Sequence, residues 1–117
     1  MRYMLLIYSD PAAMANLTEA DGQQMLTDYL VFTQSLVASG EMLGGDPLQS
    51  IDTATTVRVR AGRTTTTDGP FAETKEVLGG YYMVDCVNLD RALELAAQIP
   101  GALTGSVEVR PLQEFGG

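Results

Sequence analysis

Two segments of this 117-residue chain are apolar on both of their alternating faces, which limits the folds open to it. They are Arg2–Tyr8 and Tyr81–Val87. Neither segment shows the apolar–polar alternation of a strand with one face in water. We therefore predict that both are central strands of a sheet that must be covered on both sides.

The helices predicted from the sequence can cover only one face of this sheet. Apolar residues recur with helical period over residues 18–39, after the N-cap candidate Thr18, and again over Leu89–Ile99, after Asn88. The expected buried faces comprise Met25, Leu26, Tyr29, Leu30, Phe32, Leu36 and Val37 in the first helix, and Leu89, Ala92, Leu93, Ala96 and Ile99 in the second. Two helices can cover one face of such a sheet, so the other face would expose a large apolar patch to water.

A second copy of the chain would cover that patch. Shielding about 400 Å² of apolar surface stabilises an association by roughly 10 kcal/mol before the costs of association are subtracted. We therefore predict a homodimer with the two sheets packed face to face. The alternative is that a predicted hairpin and the segment 44–48 fold over the same face.

The remaining segments complete an α+β order. We predict a loop over 11–16, an irregular strand over 41–49, hairpin strands over 53–60 and 63–67, and a last strand over 106–112. A turn is expected at Asp68-Gly69-Pro70-Phe71, and the segment 72–78 has room for one helical turn. The order β-α-β, hairpin, β-α-β predicts one domain over 1–117, a ferredoxin-like split βαβ with an inserted hairpin.

The composition excludes several kinds of chemistry. The chain has no histidine, which removes a Ser-His-Asp triad, a Cys-His dyad and any histidine metal site. Its single cysteine, Cys86, cannot form an intrachain disulfide and is expected to be a small buried residue. The net charge of −8, with seven scattered basic residues, argues against nucleic acid and anionic membranes as partners. We expect a cytoplasmic protein without a metal or cofactor.

The turn at Asp68 is the sharpest candidate site. A rigid turn could aim the Asp68 carboxylate into a pocket as a general base or a hydrogen-bond acceptor. It could equally serve as a cap that fixes the turn and lets Phe71 anchor in the core. The charged residues that follow, Glu73, Lys75 and Glu76, could tune a pKa in a cleft or form a solvated surface.

Tyrosine and arginine side chains supply further candidates. A pocket between the first helix and the sheet could use Tyr29 and Tyr82 to bind a polar molecule or to donate a proton, although core packing would also explain them. Arg58, together with Arg60 and Arg63, could clamp a carboxylate or phosphate, or could form a solvated edge. We therefore predict Asp68, Glu73 and Tyr82 as catalytic candidates, and Tyr29, Arg58, Asp68, Phe71 and Lys75 as ligand-binding candidates.

The string from Asp68 to Glu76, DGPFAETKE, followed by Leu78–Tyr82, resembles the DGPF branch of the YCII-related family. Arg2–Tyr8, Ala54–Arg60 and Gly105–Pro111 extend the resemblance over nearly the whole chain. It implies a dimeric α+β barrel. Enzymes in the wider family use a His-Asp pair for acid–base chemistry, which this histidine-free chain cannot reproduce. Many members of the branch resemble genomic companions of extracytoplasmic-function sigma factors.

Three functions are consistent with these observations. The first is a dimeric small-molecule-binding or accessory module with a pocket near Asp68. The second is a cofactor-free acid–base enzyme, a lyase, isomerase or hydrolase, acting on a small polar substrate through Asp68 or Glu73 and a tyrosine. The third, implied by the resemblance alone, is an interaction partner of a sigma-factor-type transcription regulator.

Overall fold

The two doubly apolar segments form the central strands of a four-stranded antiparallel sheet. A computed structural model describes residues 1–115. The strands are β1 (Arg2–Ser9), β2 (Met42–Pro47), β3 (Thr55–Arg60), β4 (Arg63–Asp68), β5 (Val77–Asp85) and β6 (Ser106–Pro111). The helices are α1 (Pro11–Ala15), α2 (Glu19–Ser39) and α3 (Leu89–Gln98), with short 3₁₀ turns at Ile51–Thr53 and Pro100–Leu103. The main sheet has the order β2-β5-β1-β6, while β3 and β4 form a separate hairpin. This order agrees with the predicted ferredoxin-like α+β fold.

The two long helices begin and end where their capping residues predict. The Thr18 hydroxyl accepts a hydrogen bond from the amide of Asp21 at 3.1 Å, and Gly40 ends α2 in the left-handed conformation at φ 78°. The side chain of Asn88 accepts from the amide of Arg91 at 3.0 Å and begins α3. Both predicted helices are confirmed.

The core lies on one face of the sheet. Tyr3, Leu5 and Ile7 of β1 alternate inward, as do Tyr82 and Val84 of β5, and all five are buried. The helices pack on this face through Phe32, Leu36, Ala92, Leu95 and Ala96, with Ile99 just after α3. Val107 and Val109 of β6 pack against the same core.

The buried faces of both helices are narrower than predicted. In α2 only Phe32 and Leu36 are buried, whereas Leu26, Leu30 and Val37 are 63%, 55% and 63% exposed. A cavity lies between the first half of α2 and the sheet, so Leu26 and Leu30 line that cavity, whereas Tyr29 packs partly against the core. In α3 the buried residues are Ala92, Leu95 and Ala96, while Leu89 and Leu93 are each about half exposed.

Two connecting segments also differ from the prediction. The expected loop over 11–16 contains the short helix α1, because Asp10 caps the amide of Ala12 at 2.9 Å and Pro11 stands at the first helical position. The segment 72–78 does not form a helical turn. Instead β5 begins at Val77, where pairing with Ser9 extends the strand past a register shift at Ile7/Tyr8.

The second face of the sheet, here called the open face, consists of Met4, Leu6, Tyr8, Tyr81 and Met83, all partly exposed. The predicted hairpin does not cover it, because β3 pairs only with β4 and leaves Val57 and Val59 more than half exposed. The segment 44–48 does not cover it either, since residues 44–47 lie in the edge strand β2. Within residues 1–115, no helix combines the length and hydrophobicity required to cross a bilayer.

Candidate functional site

A cavity of about 510 Å³ lies between the first half of α2 and the edge of the sheet formed by β2 and β5. We call it the α2 cavity. Its walls include Leu26, Tyr29, Leu30 and Thr33 from α2 and Ile7, Met42 and Tyr82 from the sheet. Its size is within the range of small-molecule sites in proteins, which are mostly apolar with a few placed polar groups.

Two glycines shape this cavity. A side-chain carbon added to Gly45 would lie 2.8 Å from both the carbonyl oxygen of Tyr81 and the ring of Tyr82. One added to Gly101 would lie 2.7 Å from the hydroxyl oxygen of Tyr29. Both positions therefore require glycine to let the backbone approach the tyrosines that line the site.

Tyr82 places its hydroxyl at the cavity wall in a fixed orientation. Its ring packs edge-on against Phe32, with ring centroids 5.1 Å apart and an interplanar angle of 83°. Its hydroxyl oxygen lies 2.8 Å from that of Thr33, and either group can be the donor. This bond joins the sheet to α2 across 49 residues of sequence.

Tyr29 is the second tyrosine of the cavity. The amide N–H of Gly101 donates to its hydroxyl oxygen at 3.2 Å. Burial raises the pKa of Tyr29 above its ordinary value of 10.0, so the hydroxyl keeps its proton at neutral pH. The structure thus brings Tyr29 and Tyr82 together at one cavity between α2 and the sheet; their role in binding stays a prediction.

Asp46 and Tyr81 form a pair that no sequence pattern indicated. They are cross-strand partners in β2 and β5, and the Tyr81 hydroxyl donates to the Asp46 carboxylate at 3.4 Å. Strand alternation places both side chains on the open face, on the opposite side of the sheet from Tyr82. Only the register of β2 against β5 could have revealed this pair.

The Asp68 turn lies away from the α2 cavity, at a more open depression of about 400 Å³. Asp52, Asp68 and Glu73 contribute carboxylates to this acidic depression. The three catalytic candidates are therefore divided, since Asp68 and Glu73 line the depression while Tyr82 lines the α2 cavity. Among residues 1–115, no three acidic, cysteine or histidine residues are arranged to hold a metal ion.

The turn itself is held by its backbone. The amide of Gly69 donates to the carbonyl of Ala54 at 2.8 Å, and the Thr56 hydroxyl donates to the carbonyl of Gly69 at 2.8 Å. Within the part of the chain that the structure describes, no hydrogen bond reaches the Asp68 carboxylate, so the predicted cap is not formed. Phe71 does not anchor in the core, because its side chain is 79% exposed.

The other candidates lie outside both cavities. Arg58 donates to the carbonyl of Phe71 at 3.2 Å, and Arg58, Phe71 and Lys75 line neither the α2 cavity nor the acidic depression. Arg58 and Arg60 share one face of β3, opposite Val57 and Val59, as strand alternation predicts. Cys86 is a buried residue, as expected, and burial raises the pKa of its thiol.

The strand order, the helices on one face and the enclosed space beside α2 define an α+β protein of ferredoxin-like topology with a ligand-sized cavity.

Comparison with known proteins gives the family. The chain matches the family model of the YCII-related domain over residues 1–116, so it belongs to the YCII-related family. It is also similar to the uncharacterized protein R00369 of Rhizobium meliloti (strain 1021), with 38% identity over 114 residues, covering 96% of this chain and 92% of the relative. The expectation from the DGPF string is confirmed for the family, while the branch within it stays a prediction.

Proposed function

We propose that this protein is a homodimeric small-molecule-binding module whose ligand occupies the α2 cavity. The cavity carries the proposal, because it combines apolar walls with hydroxyl groups from Tyr29, Thr33 and Tyr82 in a volume of about 510 Å³. The acidic depression at Asp68 supports binding less well, since it is more open and its carboxylates are solvated. The proposed site therefore lies at α2 and not at Asp68, where the sequence pattern predicted it.

A thermal-shift screen against a metabolite library tests the site. Thr33→Met fills part of the α2 cavity, whereas Asp68→Ala alters only the acidic depression and serves as the control. We expect at least one compound to raise the melting temperature of the wild-type protein and of Asp68→Ala, but not that of Thr33→Met. Loss of the effect in Asp68→Ala alone would assign binding to the depression, and a screen without stabilising compounds would contradict a binding function.

The proposal of a dimer depends on the surface that a single chain leaves exposed. The chain exposes 8102 Å², whereas a compact protein of its mass exposes roughly 6,200 Å². Its radius of gyration is 16.3 Å, compared with roughly 13 Å for a compact domain of this length. The β3–β4 hairpin pairs with no strand of the main sheet and extends the chain, and a second copy packed on the open face would bury part of the exposed area.

A cofactor-free acid–base enzyme is the second candidate function. The Asp46–Tyr81 pair supports it, because a carboxylate hydrogen-bonded to a phenol at 3.4 Å can act as an acid–base pair for a substrate bound on that side of the sheet. If a screen of lyase, isomerase and hydrolase substrates finds an activity, Asp46→Asn should abolish it while leaving the melting temperature unchanged. An activity that persists in this variant would exclude the pair as its acid–base group.

Interaction with a sigma-factor-type regulator stays a prediction from the family resemblance. The net charge of −8 would suit a partner with a basic surface. Binding to a purified sigma factor encoded near this protein's gene should weaken as salt is raised. Absence of binding at low salt would contradict it.

A further inference from the structure

Some hydroxyl protons in the α2 cavity take part in no hydrogen bond among residues 1–115. The Tyr29 oxygen accepts the Gly101 amide proton, so this contact leaves the tyrosine's own proton free. Among the contacts formed by residues 1–115, no acceptor receives that proton. In the Thr33–Tyr82 pair only one of the two hydroxyl protons is used in the mutual bond. The cavity therefore offers two hydrogen-bond donors to an occupant.

The walls of the cavity offer no cation to balance an acid. Among residues 1–115, no lysine or arginine lines it, and the one charged lining residue, Asp46, has its carboxylate bonded to Tyr81 on the open face. A carboxylate or phosphate would lose its hydration there without a compensating positive charge. The net charge of −8 further disfavours an anion.

We propose that the α2 cavity binds an uncharged, largely apolar molecule that carries a hydrogen-bond acceptor such as a carbonyl group, and that the Tyr29 hydroxyl donates to this acceptor. The inference rests on the proposed function, because it specifies the chemical class of ligand for the same cavity. A tyrosine whose pKa lies above 10.0 is protonated throughout the neutral pH range, so the donor is present there. The apolar walls, among them Met25, Leu26 and Leu30, would hold the rest of the molecule.

Three probes with one carbon skeleton separate the contributions of shape, acceptor and charge. They are butylbenzene, 4-phenylbutan-2-one and 4-phenylbutanoate, each titrated into the wild-type protein and followed by NMR chemical shifts or calorimetry. We expect the ketone to bind about three- to tenfold more tightly than butylbenzene, which is the usual effect of one added hydrogen bond. The carboxylate should bind at least about tenfold more weakly than the ketone because its charge would be desolvated.

Tyr29→Phe tests the donor directly. It should remove the preference for the ketone over butylbenzene and leave the affinity for butylbenzene unchanged. Tyr3→Phe, a buried tyrosine outside the cavity walls, is the matched control and should keep the preference. If Tyr29→Phe fails to fold because the Gly101 amide loses its acceptor, Thr33→Val provides a second test, since it leaves Tyr82 without its hydroxyl partner. With Tyr29 as the donor, Thr33→Val should keep the preference for the ketone, and loss of that preference would assign the donor to the Thr33–Tyr82 pair and overturn the inference.

The outcomes distinguish this inference from the proposed function. Equal affinity for the ketone and butylbenzene, or tightest binding of the carboxylate, would overturn the inference while leaving the cavity as a binding site. Failure of all three probes to bind would contradict both the inference and the assignment of ligand binding to this cavity.

Discussion

At the scale of single residues, Gly45 shows how closely the sheet edge and the cavity are fitted together. Its position against Tyr81 and Tyr82 leaves no room for a side chain, and Met42 lies 3.3 Å from the place a methyl group would take. The neighbouring Gly44 has nothing within 4 Å of the same place. The two adjacent glycines of this strand therefore differ in the space available for a side chain.

We predict that Gly45→Ala lowers the free energy of unfolding by about 1–3 kcal/mol, because the methyl group would overlap the Tyr81 carbonyl and the Tyr82 ring. Urea denaturation measures this change, and Gly44→Ala is the matched control. An equal effect of the two substitutions would show that the close approach at Gly45 does not restrict the side chain.

At the scale of secondary-structure elements, the ion pair of Glu41 and Arg91 joins the start of β2 to the first turn of α3. Both guanidinium–carboxylate contacts are short, at 2.8 and 3.0 Å, and Glu41 is largely buried. Hydrogen bonding from Arg91 lowers the pKa of Glu41 below its ordinary value of 4.5.

The stabilisation that this pair provides should depend on pH. The pKa of Glu41 is lower in the folded state, so its contribution is complete above pH 4.5 and is lost as the pH falls through the folded-state pKa. Glu41→Gln should therefore be less stable than the wild type at pH 7, and the difference should shrink below pH 4.5. Urea denaturation at several pH values measures it.

Glu94→Gln is the control for this prediction, because Glu94 contacts the same arginine from an exposed position. It should change stability less than Glu41→Gln at every pH. A difference between wild type and Glu41→Gln that stays constant from pH 7 to pH 3 would contradict the assignment to an ionised Glu41.

The elements also show what the sequence could and could not predict. Local signals placed both long helices, because the capping residues Thr18 and Asn88 and the apolar period act within a few residues. These local signals could not show that a cavity lies between the first half of α2 and the sheet. Apolar residues that line a cavity recur with the same helical period as apolar residues in a core. The α2 cavity was predicted only as a pocket that Tyr29 and Tyr82 could share, and the Asp46–Tyr81 pair depended on strand register.

At the scale of the whole molecule, the main question is what covers the open face. Leu6 and Met83 lie on two adjacent central strands of this face, with no element of residues 1–115 packed over them. Apolar surface on central strands rarely stays in contact with water in a stable protein.

We predict that Leu6→Lys converts the protein to a folded monomer, because a charge at the centre of a sheet-to-sheet interface would be desolvated without a partner. Size-exclusion chromatography with light scattering measures the mass, and circular dichroism verifies the fold. Val31→Lys, which changes an exposed apolar residue of α2, should remain a dimer. If the Leu6→Lys protein kept the mass of a dimer, the dimer interface would have to lie outside the open face.

Sedimentation equilibrium of the wild-type protein tests the open-face argument most directly. We predict a species of twice the 12.5 kDa mass of one chain at micromolar concentration, with no appreciable monomer. A stable 12.5 kDa particle that does not self-associate under those conditions would contradict it.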